Sequence, residues 1–156
     1  MNTRTFRSVA WLLALFGRER FDIGSGSPYL TRWTLLGQRM GGELHYFHRS
    51  DYARAYHDHP WPFVSLILWP GYFENTPRPF GEGNARRWYG PLSILRRAAR
   101  WEHWVEIPRD GHCWTLVYVG KKERSWGFWC PTAQGRKFVN WREHGAKEAA
   151  GQDGCA

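Results

Sequence analysis

His57-Asp58-His59-Pro60-Trp61 runs straight into Pro62-Phe63-Val64-Ser65-Leu66-Ile67-Leu68-Trp69, and this stretch decides the fold. A short apolar run rich in β-branched and aromatic residues, closed by Pro70-Gly71, reads as a buried strand followed by a turn. Side chains alternate along an extended chain, so His57 and His59 share one face and Asp58 takes the other. Two imidazoles converging from one strand are half of a metal site. A third can come from a later strand of the same barrel. The stretch predicts a metal centre inside a β-structure and does not reveal a substrate.

Working outward, the rest of the chain supports a β-fold. At 156 residues it is one domain, and 42% hydrophobic residues suffice for a core. Eleven Trp, with Tyr and Phe, favour strands and tight packing, and seventeen scattered Gly supply turns between short strands. Strands are expected at 29–36, 43–49, 54–59, 62–69, 72–75, 86–89, 92–97, 102–107, 112–119 and 125–130. No helices intervene, which argues a sandwich or barrel. In Glu102-His103-Trp104-Val105-Glu106-Ile107, alternation puts His103 on the inward face with Val105 and Ile107, where it can complete a triad with His57 and His59. Asp58 is expected to point away from these rings.

Residues 4–18 read as a helix docked on the barrel, because their apolar run is too short to span a bilayer and lacks a small-residue cleavage site. Three segments follow: a helix and lead-in at 1–28, the barrel at 29–141, and a polar tail at 142–156 expected to be disordered. The odd count of three cysteines, Cys113, Cys130 and Cys155, matches no zinc-knuckle or redox spacing. It suggests buried inert thiols at Cys113 and Cys130 and a cytoplasmic protein. A net charge of +8, carried mostly by Arg, favours an anionic partner. The arginines come in short groups separated by Trp-rich strands, so a small anion is expected rather than duplex DNA or a membrane.

At this point the chain resembles the cupin superfamily. The first cupin motif pairs His-x-His with a Glu a few residues on and then a Gly. Here His57, His59 and Gly71 match, and Val64 stands where the Glu is expected. The second motif ends in a His after a Gly-anchored strand, and the stretch from Gly90-Pro91 to His103 resembles it loosely. Arg49-Ser50-Asp51, His57-Asp58-His59-Pro60-Trp61, Trp114-Thr115-Leu116-Val117 and Trp126-Gly127-Phe128 are similar, more narrowly, to a small cupin-like group of bacterial and phage genomes.

The resemblance implies an all-β, cupin-like jelly-roll barrel, homodimeric, with a divalent metal held by His57, His59 and His103. His45 is a candidate additional ligand, with His112 and Glu74 behind it. Three neutral imidazoles would leave the cation's charge uncompensated, which suits a small anionic substrate. Thiol-dioxygenase-type cupins hold Fe(II) in this way, so Fe(II) is the expected metal, with Zn, Mn or Ni as alternatives. Arg96, Arg97 and Arg100 precede His103 and are candidates for binding the substrate. The expected function is a non-haem Fe(II) oxygenase. A non-catalytic ligand-binding cupin and a sugar isomerase or epimerase are the alternatives.

Overall fold

Alternation builds the first sheet. Along Cys113–Val119, Cys113, Thr115 and Val117 are buried on one face and Leu116 and Tyr118 are exposed on the other, where Trp114 alone is covered, by Trp33 and Tyr46. Along Phe63–Trp69, Ser65 and Ile67 are buried while Val64 and Leu68 are exposed. Both strands therefore show one face to a core and the other outward.

The computed structural model describes residues 7–8, 11–12, 20–23, 29–35, 41–51, 55–78, 83–108 and 111–156. Its strands are β1 (Arg20–Ile23), β2 (Leu30–Thr34), β3 (Gly42–Phe47), β4 (Tyr56–His57), β5 (Phe63–Trp69), β6 (Tyr72–Pro77), β7 (Asn84–Tyr89), β8 (Ile94–Arg97), β9 (Trp104–Glu106), β10 (Cys113–Val119), β11 (Gly127–Thr132) and β12 (Gly135–Asn140). One sheet has the order β1-β2-β3-β10-β5-β8, and two three-stranded sheets have the orders β12-β11-β4 and β7-β6-β9. The named pairings are all antiparallel.

Among the described residues, the two small sheets join through one β-bridge between His57 and His103. His57 N–H donates to the His103 carbonyl at 2.9 Å, and His103 N–H returns a bond at 3.0 Å. The seam completes a second layer opposite the six-stranded sheet, which is the two-layer jelly-roll arrangement. Between the layers lie Ile67, Leu95 and Cys113 from the first sheet and Tyr72, Val105 and Ile107 from the second. Full burial of each large apolar side chain stabilises the fold by roughly 1.5–3 kcal/mol. The β5–β6 turn requires Gly71: its φ is +130°, and a Cβ there would lie 2.5 Å from the Tyr89 carbonyl oxygen.

Several expectations are corrected. The docked helix over 4–18 is not borne out: of that span Arg7, Ser8, Trp11 and Leu12 are described, helical in backbone but exposed, and the rest lies outside the described residues. Among the described residues the helix with defined bounds is α1 (Trp141–Ala149), which apart from Trp141 lies inside the tail expected to be disordered. Composition hid it, because its stability comes from specific pairs. Asn140 caps it by accepting from Arg142 N–H at 3.0 Å, and Lys147 pairs with Glu143 one turn away at 3.0 Å. Cys130 is not a free thiol but is joined to Cys155 by a disulfide across 25 residues. Cys113 alone is the buried thiol, and burial pushes it up to about 12. Strand β12 carries no alternation in its sequence, and β1 alternates over only four residues, too few to stand out.

Candidate metal centre

His57, His59 and His103 converge. Their ligand nitrogens all lie within 4.8 Å of one another. The backbone explains the convergence. His57 bonds to His103 across the seam, Asp58 N–H turns the other way to the Gly127 carbonyl at 3.2 Å, and His59 N–H reaches the Ala99 carbonyl at 2.9 Å. This extended path sends the two histidines to one side and Asp58 to the other.

Two of the rings are held from behind by carboxylates. Glu74 Oε1 lies 2.8 Å from His103 Nδ1, and Asp51 Oδ2 lies 3.2 Å from His57 Nδ1. A carboxylate on Nδ1 fixes the tautomer in which Nε2 carries the lone pair, as metal-ligating histidines require. His59 Nε2 and His103 Nε2 stand 2.8 Å apart. Two nitrogens about 2.1 Å from one cation and at right angles to each other would stand about 3 Å apart, so the spacing fits a shared metal. The residues present thus fit a divalent cation.

Glu74 is the hub of this support. It is 3% exposed and sits on β6 opposite Val105 of β9, on the inner face that also carries His103. Arg97 reaches it from the opposite sheet with Nε at 3.0 Å and Nη2 at 2.5 Å, and Trp101 Nε1 donates at 3.2 Å. Burial alone would raise the Glu74 carboxyl, but hydrogen bonds from His103 and Arg97 outweigh it and hold the group at about 2. Asp51 is anchored by Val105, whose carbonyl accepts its N–H at 2.8 Å, and Ser50 Oγ accepts from Ile107 N–H at 3.0 Å. The Arg49-Ser50-Asp51 stretch thus ties the segment before β4 to β9.

Burial lowers His57, against the opposing pull of Asp51. Burial also lowers His59 well below the ordinary imidazole range, and the neighbouring His103 and His57 add to this. Both rings stay neutral, the form that binds metal. In the metal-free protein the unfolded chain therefore binds more protons than the folded one just below the ordinary histidine value of about 6.5, and stability falls as pH drops through that window. Glu74 acts lower down: its stabilisation is present above about pH 4.5 and lost as pH falls towards 2. The melting temperature of chelator-treated protein should accordingly fall between about pH 7 and 5. A flat or rising profile would contradict these environments.

The other candidates fall differently. His45 is paired with Glu43 at 2.8 Å and is not part of the convergent cluster. His112 stacks on Tyr46, with ring centroids 5.5 Å apart, and is likewise outside it. Glu74 supports a ligand rather than joining the cluster. Val64 points outward, and Phe63 faces the site instead, its ring centroid 4.7 Å from that of His59. Of the three arginines, Arg97 is engaged by Glu74, while Arg96 and Arg100 are exposed and do not reach the centre. A cavity of about 300 Å³ adjoins Pro60 and Trp61, lined also by Lys122, Trp126, Trp141 and Arg142, and contains none of the three histidines. Asp51 was missed because a backbone bond to Val105, remote in sequence, is what holds it beside His57.

No protein-family model matches the chain, and no curated protein matches it significantly. Solved structures do. A cupin-2 domain protein from Rhodospirillum rubrum, Rru_A2000, superposes with a TM-score of 0.55 at 15% identity, over 76% of this chain and 78% of that one. The DMSP lyase DddQ from Ruegeria pomeroyi DSS-3 gives 0.54 at 17% identity, over 81% and 68%. Fe(II)-HppE with the alternative substrate (S)-1-HPP gives 0.54 at 8% identity, over 65% of this chain and 55% of that one. This chain thus spans little more than half the length of Fe(II)-HppE. At these identities the likeness shows the fold: the chain has the cupin fold.

Proposed function

We propose that this protein is a metal-dependent enzyme that holds Fe(II) at His57, His59 and His103 and acts with oxygen on a small anionic substrate. The observation that carries the reading is the donor set: three imidazoles converge with no carboxylate among them. Such a set leaves a 2+ charge uncompensated and coordination positions free, which favours an anionic, chelating substrate. When bound, Fe(II) supplies Lewis acidity and reducing equivalents for oxygen chemistry. The chain's own groups hold and shield the site. Glu74 and Asp51 fix two rings, Arg97 and Trp101 fix Glu74, and Phe63 supplies an apolar wall against His59. Two neighbours of the same fold lend support: Fe(II)-HppE, an iron protein that takes the small substrate (S)-1-HPP, and a lyase of the small molecule DMSP.

Nitric oxide binds Fe(II) only at an open position and gives a half-integer-spin EPR signal. The reading expects that signal from the Fe(II)-loaded protein, altered by a small chelating carboxylate or phosphonate. Absence of the signal from iron-loaded protein would point to a fully ligated metal and a non-catalytic binding role.

We also read the outer face of the six-stranded sheet as a homodimer surface. Leu116, Leu66 and Ile94 lie in register across β10, β5 and β8, beside Tyr118 and Val64, and Ile94 is 73% exposed. An apolar row of this kind marks an interaction surface. The double substitution Leu116→Glu/Ile94→Glu should convert a dimer to a monomer in sedimentation, and a wild-type monomer would contradict the reading. Among the described residues no helix is long and apolar enough to cross a membrane. A cytoplasmic setting, expected from the cysteine count, requires the Cys130–Cys155 bond to be reversible, because that compartment keeps thiols reduced.

A further inference from the structure

The second cluster of metal-ligating side chains lies outside the histidine centre. Cys130 on β11, His144 on α1 and Cys155 in the terminal turn bring two sulfurs and an imidazole nitrogen within 4.8 Å of one another. The cluster is built into the fold. Cys130 is fully buried among Ala55, Val139 and Phe128, and His144 is 1% exposed. The imidazole is stacked on Phe128 with centroids 3.9 Å apart. On its other side lies Gly154, where an added Cβ would come within 2.4 Å of the ring. Only glycine therefore lets the terminal turn close over the imidazole. Cys155 is fixed next to it by its N–H bond to Asp153 Oδ1 at 2.9 Å. A disulfide needs neither a buried imidazole nor a glycine shaped to admit one.

We propose that Cys130, His144 and Cys155 form a second, redox-gated metal site, which takes a borderline-soft divalent cation such as Zn(II) once the disulfide is reduced. Two thiolates and one imidazole are a donor set that such cations prefer, with water completing a tetrahedron. Reduction by a dithiol delivers two electrons and two protons to the sulfurs and leaves the dithiol as its own disulfide. Cation binding then releases the two thiol protons and leaves His144 neutral, the form that burial favours. Sulfurs about 2.3 Å from a tetrahedral cation stand about 3.8 Å apart, so the pair need only open modestly. Cys155 lies in a turn rather than a strand and can give. The oxidised state closes the site and the reduced state opens it, while the tail stays docked in both.

Cobalt(II) tests this, because only thiolate ligation gives an intense near-ultraviolet charge-transfer band, which the all-imidazole centre cannot produce. Full-length protein is reduced with dithiothreitol, freed of it by gel filtration under argon, and titrated with Co(II) beside an air-oxidised sample. The reduced protein should show the band and bind one more Co(II) per chain than the oxidised protein. The band should persist in His57→Ala/His103→Ala and in Cys113→Ser, and vanish in Cys155→Ser. A reduced protein without the band, or a Cys155→Ser variant that keeps it, overturns the proposal. The histidine-centre variant keeps this outcome separate from the fate of the Fe(II) reading.

Discussion

Replacing Asp58 with Ala lowers the stability of the metal-free protein by about 3–5 kcal/mol, the usual cost of removing one partner of a buried ion pair. Asp58 is fully buried on the side of the chain away from the imidazoles. Its Oδ1 accepts from Gly127 N–H at 3.0 Å, its Oδ2 accepts from Trp129 Nε1 at 3.1 Å, and Arg124 pairs with it. The carboxylate thus fastens the chain after β4 to the start of β11. Truncation strands two donors and a guanidinium whose side chain is 19% exposed. Because Arg124 can turn partly to solvent, the lower end of the range is expected. Urea unfolding of chelator-treated wild type and variant measures it. A loss below about 1 kcal/mol, the scale of a surface pair, would show that Asp58 is not a strut.

Glu74→Gln should weaken divalent-metal affinity by about 10–100-fold, the usual effect of altering a carboxylate behind a ligating histidine. The carboxylate accepts from His103 Nδ1, Arg97 and Trp101 together. The amide keeps the shape but loses the charge and puts donors where only an acceptor serves. His103 then loses the bond that fixes its tautomer, and Arg97 loses its counter-ion. Competition titration with a chromophoric chelator gives the affinity, and circular dichroism confirms that the variant is folded. A change smaller than threefold would mean that Glu74 does not act on the centre.

The triad and the all-β architecture were legible because both rest on period-2 alternation, which is local. His57 and His59 share a face by spacing alone, and His103 shares one with Val105 and Ile107 for the same reason. The supporting carboxylates were not legible. Glu74 reads in sequence as a candidate ligand and Asp51 has no role there, because Glu74 acts on His103 across two strands and Asp51 is aimed at nearby His57 by bonds to the distant Val105. The candidate arginines illustrate the same limit: position before His103 is shared by Arg96, Arg97 and Arg100, yet alternation along β8 lets only Arg97 face inward beside Leu95. The tail was misread because composition reports the lack of an apolar face, whereas α1 is held by a cap, an i,i+4 pair and a cross-link to β11. Pairing of Cys130 with Cys155 could not be read from three cysteines, since spacing does not determine connectivity.

Metal content is the most direct test of the three-histidine centre. Protein produced without a histidine tag, kept oxidised so that the cysteine cluster stays closed, is analysed by plasma mass spectrometry after reconstitution with Fe(II) or Zn(II) and gel filtration. Wild type should hold about one divalent cation per chain, and the His57→Ala/His103→Ala variant essentially none. Near-stoichiometric metal retained by the folded double variant would contradict the assignment of the centre.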